Sequence, residues 1–172
     1  MNKNFCHSDS KIKLTLDVSI DDNRWDSCRI FRDILSHSTH VSRCAIINTL
    51  RKFPGKCSIT ISLLLANNTY LKKLNNDFRQ INKPTNVLSF PFHNFRPGLT
   101  MLSNSNRNVF LGDIAMSFDK ILEEHSEVGK DFQGHFNHIL VHGILHLAGY
   151  DHQDDHEATI MHSLEQKILS KI

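Results

Sequence analysis

The stretch HGILHLAGYDH, positions 142–152, sets His142, His146 and His152 around an apolar filler of Ile144, Leu145, Leu147 and Ala148. Residues four apart on a helix leave the same face one turn apart, so a helical segment here aims the first two imidazoles at one point. Gly149 stands where that helix should end, because glycine tolerates the left-handed conformation of a C-terminal cap. A turn at Gly149 folds Tyr150-Asp151-His152 back and makes His152 a third donor. Three neutral imidazoles favour one Zn²⁺ ion with a fourth position left for water, and the motif offers no obvious fourth protein ligand. The competing reading is a longer helical stripe of His135, His138, His142 and His146, either a solvated face or a set of partnered core histidines. His138, also one turn from His142, is the rival ligand, or a group behind the ligands, or a rim residue.

The spacing H-x-x-x-H-x-x-G-x-x-H is that of the metzincin metalloproteases, which carry Glu as general base directly after the first histidine. That place is Gly143 here, and glycine accepts no proton. Peptide hydrolysis by that route lacks its base. What remains is a metal that acidifies its water to a pKa near 7 and polarises an oxygen, which suits phosphodiester cleavage when an arginine or lysine holds the developing charge.

The elements that must position these residues are read from periodicity. Lys11 to Ile20 alternates like a half-buried strand. Asp21 or Asp22 caps a helix to about His37, with Trp25, Cys28, Phe31 and Leu35 on its face, and a second helix runs from Val41 to Phe53, stopped by Pro54-Gly55. Residues 57–65 suit an inner strand. Asn67 or Asn68 caps a helix ending before Arg79, and 85–92 is a short strand. Residues 93–107 read as a loop, and 109–116 as a strand in which Gly112 marks a bulge or close backbone approach. Ser117 caps a helix to about Val128; further helices span 132–148 and 154–171, the last with Ile160, Met161, Leu164, Ile168 and Leu169 as its apolar stripe. The expected fold is α+β: a single domain, one mixed four-stranded sheet covered by helices, with the metal site on a late helix and the turn after it. Residues 1–10 are expected to be a loose tail and 11–172 the single hydrolase domain.

At 172 residues the chain can bury one sizeable core. A net charge of +2 announces no global field for nucleic acid, so any such contact must be local. Cys6, Cys28, Cys44 and Cys57 are irregularly spaced and read as reduced thiols of a reducing compartment. The N-terminal residues lack the apolar run of a signal peptide, and no stretch approaches the roughly 18 apolar residues of a membrane span. The expectation is a soluble cytoplasmic protein with no membrane partner.

HGILHLAGYDH resembles the signature HGxLHLxGYDH of the YbeY family of rRNA-maturation endoribonucleases. Leu74-Asn75 with Phe78-Arg79, followed by PTNVLSFPF at 84–92, resembles that family's segment ending in TNVLSFP or TDVLSFP. Leu111-Gly112-Asp113-Ile114 matches its LGDI strand, and Met161 and Glu165 fall where its last helix carries Met and Glu. The blocks keep their order over roughly residues 70–170, while residues 1–60 share only a strand-helix-helix-strand pattern.

The resemblance implies zinc on His142, His146 and His152 and metal-dependent cleavage of single-stranded RNA. It also implies a role in 3′-end maturation of 16S rRNA and ribosome quality control. Its partners would be the rRNA precursor and the small ribosomal subunit, with no DNA expected. It places a catalytic arginine near the metal at Arg79, which would hold the scissile phosphate bidentately. Phe92-His93 departs from the family, which often has an acidic residue there. The loop at 93–107 and the N-terminal tail are this chain's own.

Lys72, Lys73 and Lys83 join Arg79 either as an RNA track or as a solvated face. Asp151 is a group orienting an imidazole, a proton acceptor or a turn residue. Asp113 faces the cleft or supports a bulge. Phe90 and Phe92 stack bases or belong to the core, and Ser89 is a possible phosphate contact. Two other functions stay open: a metalloprotease, and a non-catalytic ribosome-assembly factor with structural zinc.

Overall fold

The computed structural model describes residues 12–27, 30–49, 57–97 and 108–172, of 26–36 the backbone only. The expected tail 1–10, the Pro54-Gly55 stop, Cys6, Cys28, Phe31, Leu35 and the tip of the 93–107 loop lie outside what is described. The elements follow as β1 (Ile12–Ile20), α1 (Arg24–Ser27), α2 (Ile30–Thr49), β2 (Cys57–Ala66), α3 (Asn68–Arg79), β3 (Val87–Pro91), β4 (Asn108–Ser117), α4 (Phe118–Glu127), α5 (Phe132–Leu147) and α6 (Asp155–Leu169). One four-stranded sheet has the order β1-β2-β4-β3. β1 pairs parallel with β2, and β2 parallel with β4, while β3 lies antiparallel to β4. The sheet is mixed, as the sequence led one to expect, and each parallel pair is joined by a helical crossover.

Alternation in β2 sorts the two faces of this sheet. Ile59, Ile61, Leu63 and Leu65 are fully buried against the helices, whereas Ser58, Thr60, Ser62 and Leu64 are partly exposed on the other side. α5 lies at the centre of the helical layer. Its Phe136, Leu140, Val141, Ile144, Leu145 and Leu147 are fully buried, each contributing about 1.5–3 kcal/mol of apolar transfer free energy. α3 covers part of the opposite face through Leu71, which joins Ala66, Leu88 and Ala115 in a smaller core. Among the described residues no helix is long and apolar enough to cross a membrane.

Two expectations need correction. The break between helices at 38–40 is absent, since α2 runs continuously through Ser38-Thr39-His40. No glycine or proline interrupts this stretch, and Ser38, Val41, Ser42, Cys44, Ala45 and Ile46 are all fully buried. Packing decides where intrinsic propensity is weak. In α6, Met161 and Ile168 are buried but Ile160 is 43% exposed, so the apolar stripe is narrower than its spacing suggested.

The strand ends are clamped near one corner. Arg24 donates to both oxygens of Asp22 and, through Nη1, to Asp119 Oδ1 at 2.6 Å. Asp119 Oδ2 accepts the Asn68 backbone N–H at 2.8 Å, tying the N-termini of α3 and α4 together. Trp25 donates its indole N–H to the Ala66 carbonyl at 3.0 Å and meets Phe118 edge to face at 5.1 Å.

Candidate metal centre

α5 begins at Asp131, whose carboxylate accepts the Gly134 N–H at 2.7 Å, and it ends as the sequence required. Gly149 takes φ +87°, its N–H donates to the His146 carbonyl, and the Tyr150 N–H reaches back to the Leu145 carbonyl, both at 3.0 Å. This pair of bonds is the Schellman cap, which reverses the chain. The approach is also close, because a Cβ on Gly149 would collide with the Phe95 carbonyl oxygen.

The reversal brings His152 onto the two helical histidines. Ring centroids are 4.6 Å apart for His142–His146, 5.1 Å for His146–His152 and 5.4 Å for His142–His152. One ring nitrogen from each lies within 4.8 Å of the others. The Nε2 atoms of His142 and His146 face each other at 3.0 Å, and two donors on one tetrahedral zinc would sit about 3.4 Å apart. Three imidazoles in this arrangement fit a borderline-soft divalent cation.

The remaining histidines of the α5 stripe have other partners. His135, buried, pairs with Glu124 at 3.2 Å. His138 takes the Lys130 ammonium on Nδ1 at 2.9 Å and meets Glu165 Oε2 through Nε2 at 3.4 Å. The rival ligand therefore stands behind the cluster, not in it. Glu165 was legible in the sequence only as a matching position, without a role. In the structure it is buried, and its Oε1 accepts from His142 Nδ1 at 2.7 Å. No spacing rule links a glutamate on α6 to a histidine 23 positions earlier on α5.

Burial pushes the His146 imidazole down to about 4, and the neighbouring His142 and His152 push the same way. It is neutral at pH 7, as a metal ligand must be. Burial alone would raise the Glu165 carboxyl, but the hydrogen bonds from His138 and His142 outweigh it and hold the group at about 2. Asp151 is 3.9 Å from His146 Nδ1. Its two oxygens are taken by the His152 backbone N–H at 2.9 Å and the Gln153 amide at 2.7 Å, so its visible work is to shape the turn.

The cluster opens into a cleft of about 550 Å³, also lined by Arg79, Ser89, His93 and Phe95. Arg79 is the last residue of α3. Gln80 caps that helix at φ 61°, its N–H donating to the Asn76 carbonyl at 3.1 Å, and Asn75 Nδ2 holds the following turn through the Lys83 carbonyl at 2.8 Å. Ser89 donates to the Gly143 carbonyl at 3.1 Å, pinning β3 to α5. A Cβ on Gly143 would lie 3.2 Å from Ser89 Oγ and 3.3 Å from Ile114, so position 143 faces β3 and β4 of the sheet.

Asp113 is not in the cleft. β4 bulges at Leu111, since Thr60 pairs with Phe110 and Ile61 with Gly112. Gly112 has φ +139°, and a Cβ there would collide with the Phe90 carbonyl. Asp113 is thereby turned to the α3 face, opposite Ser62. Phe90 shares that face and meets Phe78 edge to face at 4.9 Å, while Phe92 is 67% exposed. Lys72, Lys73 and Lys83 are exposed, and none lines the cleft.

A family profile described as Endoribonuclease YbeY matches residues 31–172. A protein named Endoribonuclease YbeY from Bartonella bacilliformis is 37% identical over 160 residues, covering 92% of this chain and 93% of its own. One of the same name from Ehrlichia chaffeensis is 41% identical over 113 residues, 66% of this chain and 67% of its own. The solution structure of TM1509 from Thermotoga maritima shares the fold with a TM-score of 0.54 at 21% identity, over 91% of this chain and 88% of that one. On the matched residues and these relatives, the chain belongs to the endoribonuclease YbeY family.

Proposed function

We propose that the protein is a zinc-dependent endoribonuclease specific for single-stranded RNA, acting in the cytoplasm on the precursor of 16S rRNA and in ribosome quality control. The observation that carries this reading is the convergence of His142, His146 and His152 at a cleft that also presents Arg79. Bound there, zinc would supply Lewis-acid polarisation and acidified water.

The chain's own residues do the rest. His142 and His146 offer two imidazole donors one turn apart on α5, and the cap at Gly149 delivers His152. Among the described residues the converging set contains three donors and no fourth, the pattern of a site that keeps a position for reactants. Arg79, exposed at the end of α3, offers a planar fork that matches two phosphate oxygens. RNA enters through the open side of the cleft and meets the guanidinium and the histidines together.

Peptide hydrolysis is disfavoured by the surroundings of Gly143 as well as by its identity, because a side chain there would enter the contact between β3 and α5. The test is cleavage of a defined single-stranded RNA by wild-type protein, His142→Ala and His146→Ala, with metal content measured on each sample. Wild type should carry about one zinc and cleave, and chelator should stop it. Either histidine variant should lose both zinc and cleavage, whereas Arg79→Ala should keep zinc and lose at least about tenfold in rate. Full zinc in a histidine variant ends the metal assignment. Zinc-loaded, folded wild type that leaves every RNA intact favours the assembly-factor reading.

A further inference from the structure

We infer that Glu165 is the positioning residue for His142: a carboxylate from α6 that fixes which nitrogen of that imidazole faces the metal centre. This rests on the metal reading above. Glu165 is 5% exposed, and its Oε1 lies 2.7 Å from His142 Nδ1. An ionised carboxylate only accepts, so Nδ1 carries the proton and Nε2 is left with a bare lone pair. That Nε2 is the atom facing His146 Nε2 at 3.0 Å.

The other carboxylate oxygen is fixed from behind. Lys130 Nζ, a group with no acceptor capacity, donates to His138 Nδ1 at 2.9 Å. His138 then bears its proton on Nε2 and directs it to Glu165 Oε2 at 3.4 Å. His162, 68% exposed, stands 3.7 Å from the same oxygen at the rim. Lys130 donates to His138, and both His138 and His142 donate to Glu165, so no proton in the chain is free to choose its place. The corresponding carboxylate near His146, Asp151, is 3.9 Å away and already engaged by the turn. The Tyr150 backbone holds His146 by a hydrogen bond instead, so of these two helical ligands only His142 is oriented by a buried carboxylate.

A carboxylate this deeply buried is costly unless its partners are present. An apolar residue would serve the α5–α6 contact better if packing were its only purpose. Groups that orient metal-bound imidazoles typically contribute 10–100-fold to metal affinity.

The experiment uses the full chain stripped of metal and competes it against a chromophoric chelator for Zn²⁺. Glu165→Gln keeps an oxygen that can accept from His142, and Glu165→Leu keeps only volume. Affinity should fall about tenfold in the first and about 100-fold in the second. In the metal-free protein, ¹⁵N NMR of the imidazoles should show His142 with its proton on Nδ1 in wild type and Glu165→Gln, and mixed tautomers in Glu165→Leu. A merely structural glutamate would lower the melting temperature and leave affinity and tautomer alone, and that result overturns the inference. If Glu165→Leu does not fold, Glu165→Gln decides: an affinity within twofold of wild type overturns it. Wild type that binds no Zn²⁺ sinks the metal reading and this inference together, whereas tight wild-type binding with unchanged variants sinks the inference alone.

Discussion

At Gly149 two separate demands fall on one residue. The backbone sits at φ +87°, and the space where a side chain would begin is filled by the Phe95 carbonyl. Gly129 meets only the first demand, with φ +67° and nothing within 4 Å of the place a Cβ would take. Gly129→Ala should therefore cost about 1–2 kcal/mol, the price of the left-handed conformation alone. Gly149→Ala should cost clearly more, because loop or cap must move, and it should weaken zinc binding by shifting His152. Urea denaturation of the two variants side by side checks this, and equal losses would mean that the Phe95 contact is soft. The need for a glycine at 149 was legible in the sequence, since helix periodicity ended there. The Phe95 carbonyl was not, because it arrives from a loop more than fifty positions earlier in the chain.

Among the elements, α5 carries the most. Its six fully buried apolar residues face the sheet and neighbouring helices, while His138, His142 and His146 are partly exposed and His135 of the same stripe is buried. Leu140→Ala should destabilise by about 2–5 kcal/mol through the cavity it leaves. Because Leu140 touches the core and not the cleft, zinc affinity of the folded fraction should stay near wild type. A large loss of affinity with little loss of stability would contradict that separation. Element by element, periodicity and capping residues served well. Asn67 and Ser117 cap α3 and α4 through their side chains, and alternation marked β1 and β2. The sequence misled where tertiary contact decides. α2 runs through a stretch of weak helix formers because Ser38 and Val41 are buried, an outcome that depends on neighbours a linear pattern does not contain. The bulge in β4 was legible at Gly112, whereas the choice of face for Asp113 was left open by the sequence and is made by that bulge.

For the whole molecule, the ionisable groups of the centre set a pH dependence of folding. His146 is held near 4 against an ordinary 6.5. Between those values the denatured chain binds the extra proton, so stability of the metal-free protein is full above about pH 6.5 and is lost as pH falls toward 4. Glu165, held near 2 against an ordinary 4.5, adds a second loss as pH falls below 4.5. Chemical denaturation of chelator-treated protein at pH 7, 5.5 and 4 should show falling stability, and His146→Ala should flatten the upper part of that slope. An unchanged slope in the variant would move the cause elsewhere. At the opposite corner, Arg24 joins Asp22, Asp119 and Phe118. Hydrogen bonds to Arg24 keep both carboxyls below their usual range, so that corner adds to the same acid sensitivity.

The helix end and its turn gather all three imidazoles within positions 142–152. Closing a loop over so short a span carries little entropic penalty. A denatured chain would thus be expected to retain some grip on a divalent cation. Cation capture by that ensemble erodes the linkage between ligand concentration and stability. If zinc is the ion held there, it should protect the native domain by less than its native-state affinity would indicate.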